Sequence, residues 1–304
     1  MKKIKIVYLG SSNFSLIFLK KLFVKKNVDI AGICSVKNKK KNFFSDYVDL
    51  TTFAKRNKIN NFYWDTSNYI KTLNWIKKIK PDYLFVIGWP YLLNNKILNS
   101  PKYFCVGFHP SDIPNNRGRH PIIWSIILNF RKIYSTFFIK TKEADFGPII
   151  SKKKIKLSKS INSTKVYNLI IKKSNNQLSE ILNKIMFYNK LNLKTWLNKN
   201  KSKMGNFLRK RSHKDGIIDW RMDANDISRL VNALKKPYPF ASFVYKNKEY
   251  KVKEVKIIKN SLKVEPGKII SINNNKPIIK TGKNAIKLEE ISPKRKFRFQ
   301  EHIV

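Results

Sequence analysis

The feature that most constrains the fold is a strand, a turn and a helix at the start of the chain. The segment KIKIVYLGSSNFSLIFLKKLF predicts a buried strand over residues 4–9, a polar turn over 10–13 and a helix that begins near Phe14. A second apolar strand, VDIAGICSV, follows, so the pattern is that of a β-α-β unit. The turn G-S-S-N-F lacks the later glycines of a dinucleotide fingerprint, and we therefore expect no nicotinamide cofactor.

The same alternation continues along the chain. TLNWIKKIK has helical spacing, PDYLFVIGW is apolar enough for a strand buried on both faces, and KYFCVGFH predicts the next strand. A helix around PIIWSIILNF, a β-rich run and a long helix follow. We predict an α/β domain with a Rossmann-like, mostly parallel sheet and helices on both faces. Ligands of such sheets bind at the carboxyl ends of the strands.

The last third of the chain has a different pattern. Short strands alternate with turn signals such as Pro266-Gly267 and Thr281-Gly282, which predicts a small C-terminal β-barrel of the OB type. Residues 190–207 are rich in Lys and Asn with weak periodicity, which is typical of a linker. The predicted boundaries are 1–189 for the first domain, 190–207 for the linker and 208–304 for the barrel domain.

The charge of the chain permits two interpretations. There are 64 Lys and Arg residues against 19 acidic residues, a net charge of +45, which suits a nucleic acid or an anionic membrane. The lysines, however, are spread along the whole chain beside abundant Asn and Ile, as in NKKKNFF and SINNNKPIIK. This spread favours a compositional drift over one basic face that was selected for a polyanion.

Other classes of protein are excluded by what the sequence lacks. No apolar run reaches the roughly 18 residues of a membrane helix, and no signal peptide is recognisable, so we expect a cytoplasmic protein without a membrane partner. Cys34 and Cys105 lie in apolar strands without ligand partners at metal spacing, and we expect buried thiols with no metal site. The oligomeric state stays open.

The stretch GFHPSDIPNNRGRHPIIW, residues 107–124, carries the chemistry. His109 ends a predicted strand, so its imidazole should lie at the ligand-binding edge of the sheet with a pKa suited to proton transfer. Pro110 and Pro114 stiffen the loop that follows, and a later turn, EADFG, carries Asp145. A histidine at a strand end is more often structural, but together with an aspartate it suits an acyl transfer to an amine.

Several segments in this order resemble the folate-dependent formyltransferase family, which includes methionyl-tRNA formyltransferase and the amino-sugar N-formyltransferases. They are VYLGSSNFS, PDYLFVIGW, FHPSDIPNNRGRHPIIW, STFFIKTKEADFGPIIS and the downstream DGIIDW region. The resemblance covers nearly the whole chain and makes the first predicted domain the catalytic one. It implies transfer of a formyl group from 10-formyltetrahydrofolate to a primary amine.

The family uses an Asn-x-His pair and an Asp, and carrying these over gives His109 and Asp145 as catalytic residues. The asparagine position is Gly107, which supplies no side-chain donor. Loss of such a donor typically lowers the rate by about 10²–10³. Asn115, Asn116 or a bound water are the candidates to replace it, and Asn116 is our prediction.

The resemblance also implies where the folate binds. We expect it along the loop Ser111, Asp112, Ile113 and Pro114, with Trp89 as a wall of the pocket. The alternative, to which we give equal weight, is that Trp89 packs in the hydrophobic core.

The acceptor is the least determined part of the prediction. The segment CSVKNKKKNFFSDYVDLTTFAKRNKI lacks the Thr-Gln-Pro-Asp type motif usual in methionyl-tRNA formyltransferases, which favours a small amine such as a nucleotide-linked amino sugar. The net charge favours tRNA, and methionyl-tRNA formyltransferase is the alternative. A catalytically inactive folate-binding protein is a second alternative because of Gly107, and a deformylating hydrolase ranks below it.

Overall fold

The computed structural model describes residues 3–37, 45–65, 68–187 and 205–303. The predicted linker at 190–207 lies outside the described residues except for its last three positions. The chain divides into two compact units, and the first comprises described residues up to 121 together with 133–155 and 168–208. The second comprises residues 122–132, 156–167 and those from 209 onward.

The first unit is built on a seven-stranded sheet. The elements up to residue 187 are β1 (Ile4–Leu9), α1 (Asn13–Phe23), β2 (Val28–Val36), α2 (Thr51–Arg56), β3 (Asn61–Trp64), α3 (Tyr69–Ile79), β4 (Tyr83–Val86), α4 (Asn95–Leu98), β5 (Phe104–His109), β6 (Arg117–Gly118), α5 (Pro121–Ile127), β7 (Lys132–Ile139), β8 (Ile149–Lys156) and α6 (Ser163–Phe187).

The strand order is β3-β2-β1-β4-β5-β7-β8. The pairs β1–β2, β1–β4, β2–β3 and β4–β5 are all parallel, as the alternating sequence pattern predicted. The order reverses between β1 and β4, which is where ligands of open α/β sheets bind. β7 runs antiparallel to β5 and opposes His109 with Thr136 and Gly107 with Phe138.

Apolar side chains on the two sides of the switch point form one buried cluster. Strands β1, β4 and β5 contribute to it, and so do helices α3 and α4, through residues that include Val7, Leu9, Leu73, Ile76, Leu84, Val86, Ile97 and Cys105. Both cysteines are buried free thiols. Burial raises the pKa of Cys105 to about 12, because the thiolate would lose its hydration.

Helix α1 begins one residue earlier than predicted because of its cap. The Ser12 hydroxyl accepts a hydrogen bond from the backbone N–H of Ser15, at 3.2 Å, and the Ser15 hydroxyl accepts the N–H of Ser12, at 3.1 Å. This reciprocal pair satisfies two free donors of the first helical turn. It also fixes the turn that follows β1 at the carboxyl edge of the sheet.

The second unit has the antiparallel strands that the turn-rich sequence predicted. The elements after residue 205 are β9 (Phe207–Leu208), a 3₁₀ turn (Lys214–Gly216), α7 (Ala224–Ala233), β10 (Ala241–Tyr245), β11 (Lys248–Ile258), β12 (Ile269–Asn273), β13 (Lys276–Lys280) and β14 (Ala285–Ser292). The last five strands form one sheet in the order β10-β11-β14-β13-β12. β9 belongs to the first unit, where it pairs with β6.

Candidate active site

Strand β5 delivers His109 to the carboxyl edge of the sheet, as predicted. Its imidazole is buried, and Nδ1 lies 3.6 Å from Oδ1 of Asp145. The other ring nitrogen, Nε2, is buried and has no hydrogen-bond partner among the described residues. Because a buried polar atom without a partner is costly, Nε2 is the atom that is free to meet a substrate.

Asp145 lies in the turn between β7 and β8 and has a left-handed backbone, with φ at 49°. The turn is closed by the backbone N–H of Ile139, which donates to Pro148 O at 2.8 Å, and by the Thr141 hydroxyl, which donates to Phe146 O. Oδ2 of Asp145 accepts the backbone N–H of Gly118 at 3.2 Å. An aspartate tolerates this conformation better than most residues, and such strain is commonest at functional sites.

The electrostatic environment keeps His109 neutral at pH 7. Burial lowers the pKa of His109 below its ordinary value of 6.5, the Asp145 carboxylate raises it, and the nearby Lys140 lowers it further. The net shift of the His109 pKa is downward because the hydration that the imidazolium loses on burial outweighs its attraction to the Asp145 carboxylate. A neutral imidazole with an open Nε2 can accept a proton.

Gly107, the position of the missing asparagine, is crowded and not open. A Cβ atom built there would lie 2.6 Å from Cγ of Lys140 and 2.9 Å from Cζ of Phe138. The lysine stem therefore covers the glycine. In the sequence, Lys140 is visible only as a lysine at the end of the apolar run STFFI, and nothing nearby in the chain indicates its contact with Gly107.

Asn116, the predicted replacement donor, is engaged elsewhere. Its side-chain oxygen accepts Nδ2 of Asn206 at 2.9 Å, and its backbone N–H donates to Oδ1 of Asn206 at 2.7 Å. The structure brings His109 and Asp145 together, but no contact between described residues joins Asn116 to either of them. Its catalytic role stays a prediction.

The loop of residues 111–114 is held firmly. Ser111 O accepts the Thr136 hydroxyl at 2.7 Å, whereas the hydroxyl of Ser111 is buried without a partner. The Lys152 ammonium pairs with Asp112 and also donates to Ile113 O at 2.9 Å. Ile113 is fully buried, which anchors the loop before Pro114.

Trp89 follows β4 and takes part in an aromatic cluster. Its ring meets Trp64 edge to face at 5.4 Å between centroids and Tyr91 at 6.2 Å. The indole Nε1 is buried without a partner among the described residues. Trp89 thus packs partly against the sheet core while it keeps an unused donor.

The part of the chain that the structure describes has no group of three or more His, Cys, Asp or Glu side chains placed to hold a metal ion. Within the same residues, no helix has the length and apolarity needed to cross a membrane.

The fold and the histidine–aspartate pair at the sheet edge are those of an α/β enzyme suited to acyl transfer, and comparison identifies the family. Residues 2–182 match the family described as formyl transferase, and residues 210–301 match the formyl transferase C-terminal domain. The chain belongs to the formyl transferase family, whose members are enzymes that transfer formyl groups.

Individual relatives differ in how much of the chain they match. The methionyl-tRNA formyltransferase of Clostridium acetobutylicum is 27% identical over 90% of this chain and 86% of its own length. The bifunctional polymyxin resistance protein ArnA of Wigglesworthia glossinidia brevipalpis is 32% identical over 72% of this chain but only 32% of its own. The structure of WlaRD, a sugar 3N-formyl transferase in the presence of dTDP and 5-N-formyl-THF, superposes with a TM-score of 0.61 and 16% identity over 95% of this chain and all of its own. This similarity shows a shared fold.

Proposed function

We propose that this enzyme transfers a formyl group from 10-formyltetrahydrofolate to the amino group of methionyl-tRNA, with His109 and Asp145 as the proton-transfer pair. The observation that carries the choice of acceptor is the match to methionyl-tRNA formyltransferase, which spans both domains over 90% of this chain. The small-amine acceptor favoured by sequence analysis rested on residues 34–59, of which 38–44 lie outside the described residues. This two-domain match supports methionyl-tRNA as the acceptor.

The residues present fit a folate donor. Nε2 of His109, the hydroxyl of Ser111 and Nε1 of Trp89 are among the buried polar atoms that lack a partner within the described residues. His109, Trp89 and the loop that begins at Ser111 all follow strands at the carboxyl edge of the sheet. We infer that Ser111, Ile113 and Trp89 line the folate pocket and that the Lys152–Asp112 pair keeps its loop in place.

When bound, the donor supplies the formyl carbon: the acceptor nitrogen bonds to it, the carbon–nitrogen bond to the folate breaks, and a proton moves from acceptor to folate nitrogen. His109 accepts that proton at Nε2 and holds it until the folate nitrogen takes it up. Asp145 keeps the ring oriented through Nδ1 and stabilises the charged imidazolium. We expect the Nδ1–Oδ1 distance of 3.6 Å to shorten to a hydrogen bond when the imidazole becomes charged, since opposite charges then attract.

The net charge of +45 is consistent with a tRNA acceptor. Phosphate neutralisation by lysine and arginine steers a polyanion to the enzyme and makes its affinity fall steeply with salt. A small amine remains a second candidate because the Thr-Gln-Pro-Asp type motif is missing from residues 34–59.

The test presents the acceptors in parallel. The purified protein is incubated with 10-formyltetrahydrofolate and either methionyl-tRNA, uncharged tRNA or a panel of nucleotide-linked amino sugars, and products are identified by mass spectrometry. We expect N-formylmethionyl-tRNA and no product with uncharged tRNA or amino sugars. A formylated amino sugar without formylated methionyl-tRNA would replace the proposed acceptor, and no product with any acceptor would refute the proposed activity.

A further inference from the structure

Lys140 lies against Gly107 in the site, and this contact has no part in the roles assigned to His109 and Asp145. Lys140 directly follows β7, and its backbone N–H donates to Cys105 O at 2.9 Å, which sets its side chain beside β5. The stem then crosses Gly107, where any Cβ would lie 2.6 Å from Cγ of the lysine. A side chain at position 107 therefore requires the Lys140 stem to move.

The Lys140 amine lies among the groups of the catalytic pocket. Nζ is 5.5 Å from the centroid of the Phe138 ring, and it interacts electrostatically with Asp145, Cys105 and His109. It makes no hydrogen bond and no ion pair with a described residue. Burial lowers the pKa of Lys140 from 10.5, and Asp145 and Cys105 oppose that shift.

His109 and Lys140 are two basic side chains that compete for a proton. The pKa of His109 is lowered from 6.5 and that of Lys140 from 10.5, and Lys140 is one cause of the shift in His109. The ordinary pKa of a lysine lies above that of a histidine, so Lys140 is the stronger competitor for the proton. A charged, partly buried amine without a partner is costly unless a negative charge arrives during the reaction.

We propose that Lys140 replaces the side chain that Gly107 lacks: its stem fills the space above the glycine, and its ammonium donates a hydrogen bond to the formyl oxygen. This proposal rests on the proposed formyl transfer. Negative charge develops on that oxygen when the acceptor nitrogen bonds to the formyl carbon. The ammonium remains protonated throughout, and His109 alone carries the transferred proton.

One variant separates the role of the Lys140 stem from the role of its charge. Lys140→Met keeps the length of the stem and removes the donor, so we expect kcat to fall by about 10²–10³ with little change in folate affinity. The His109 pKa, followed by NMR in the protein without ligands, should rise in Lys140→Met because one positive neighbour is gone. A stem that only fills space would leave kcat unchanged in Lys140→Met.

Variants at positions 107 and 140 test whether the two side chains can replace each other. Gly107→Asn alone should lower Tm, because the new side chain overlaps Lys140 and Phe138. In Gly107→Asn combined with Lys140→Ala, the overlap with Lys140 is gone and only the Phe138 ring must shift, so Tm should recover in part relative to Gly107→Asn. The amide should also restore part of the rate, so that the double variant turns over faster than Lys140→Ala.

The experiment measures Tm, the His109 titration and single-turnover formyl transfer on all variants beside the wild-type enzyme. Unchanged kcat in Lys140→Met, or a double variant no faster than Lys140→Ala, would overturn the role of Lys140 while wild-type turnover leaves the proposed function intact. A wild-type enzyme that transfers formyl to neither methionyl-tRNA nor an amino sugar would refute the proposed function and the role of Lys140 with it.

Discussion

The carboxylate of Asp145 and the backbone N–H of Gly118 are joined by a hydrogen bond of 3.2 Å. Gly118 belongs to β6, which pairs with β9 in a short two-stranded sheet. The bond leaves the other carboxylate oxygen facing His109. The orientation of Asp145 thus depends on a backbone position outside both the turn that carries it and the strand that carries His109.

Gly118→Ala should disturb this arrangement. Gly118 has φ at 101°, and a Cβ atom there would meet the carbonyl oxygen of Leu208 and the ring of Phe207. We expect a loss of about 1–3 kcal/mol in the free energy of unfolding and a lower kcat, because β6 must shift away from Asp145. Chemical denaturation and steady-state kinetics measure the two effects.

The matched control for that prediction is Gly216→Ala. Gly216 has an ordinary backbone, and its Cβ would meet only the end of the Leu234 side chain at 3.3 Å. Its kcat should stay at the wild-type value. Equal kcat in Gly118→Ala and the wild-type enzyme would contradict a role for the Gly118 bond.

The histidine and the aspartate should act as a unit. His109→Ala and Asp145→Asn should each lower kcat by at least about 10², and the double variant should be little slower than the poorer single variant. The amide of Asp145→Asn retains an oxygen for Gly118, so its effect comes mainly from the lost charge. Single-turnover rates give the comparison, with Asp29→Asn, an exposed position on β2, as the control. Multiplicative losses would indicate two separate roles.

Much of this site could be predicted from the sequence, because the residues that carry it are marked by short, local sequence patterns. Continuous apolar runs located β1, β4 and β5, and the end of β5 located His109, because strand ends are encoded within a few residues. The Asp145 turn was likewise visible as EADFG. The short α2, β3 and α4 were missed, since segments of four to six residues carry little periodicity.

What the sequence could not provide was proximity across the sheet. Lys140 reaches Gly107 only because β7 runs antiparallel to β5, and Asn116 meets Asn206 across 90 residues of chain. Neither contact has a local signal. The missing asparagine therefore led to Asn116 as the predicted replacement and to an inactive protein as an alternative, whereas the folded chain places a lysine stem over that glycine.

The pH dependence of the reaction should report the His109 environment. The acid limb of kcat/KM should fall below pH 6.5, because burial lowers the pKa of His109 and its neutral form persists to lower pH. Asp145 raises that pKa, so Asp145→Asn should move the acid limb further down. A limb that moves upward in Asp145→Asn would show that a different group titrates.

Trp89 should report folate binding. Its indole N–H is buried without a partner, and its ring contacts Trp64 and Tyr91 at the carboxyl edge of the sheet. Addition of 5-formyltetrahydrofolate should quench tryptophan fluorescence, and Trp89→Phe should weaken binding roughly three- to tenfold through loss of one hydrogen bond. Trp75→Phe is the control, because that indole already donates to Asn60 at 3.0 Å. Equal affinities in both variants would exclude Trp89 from the pocket.

The most direct test of the central claim is a single-turnover transfer of labelled formyl from 10-formyltetrahydrofolate to methionyl-tRNA by excess enzyme. The wild-type enzyme should transfer the label to the methionyl amino group, and His109→Ala should do so at least about 10² times more slowly while it binds the folate with similar affinity. Equal transfer rates for the two proteins, or no transfer by the wild-type enzyme, would contradict the account.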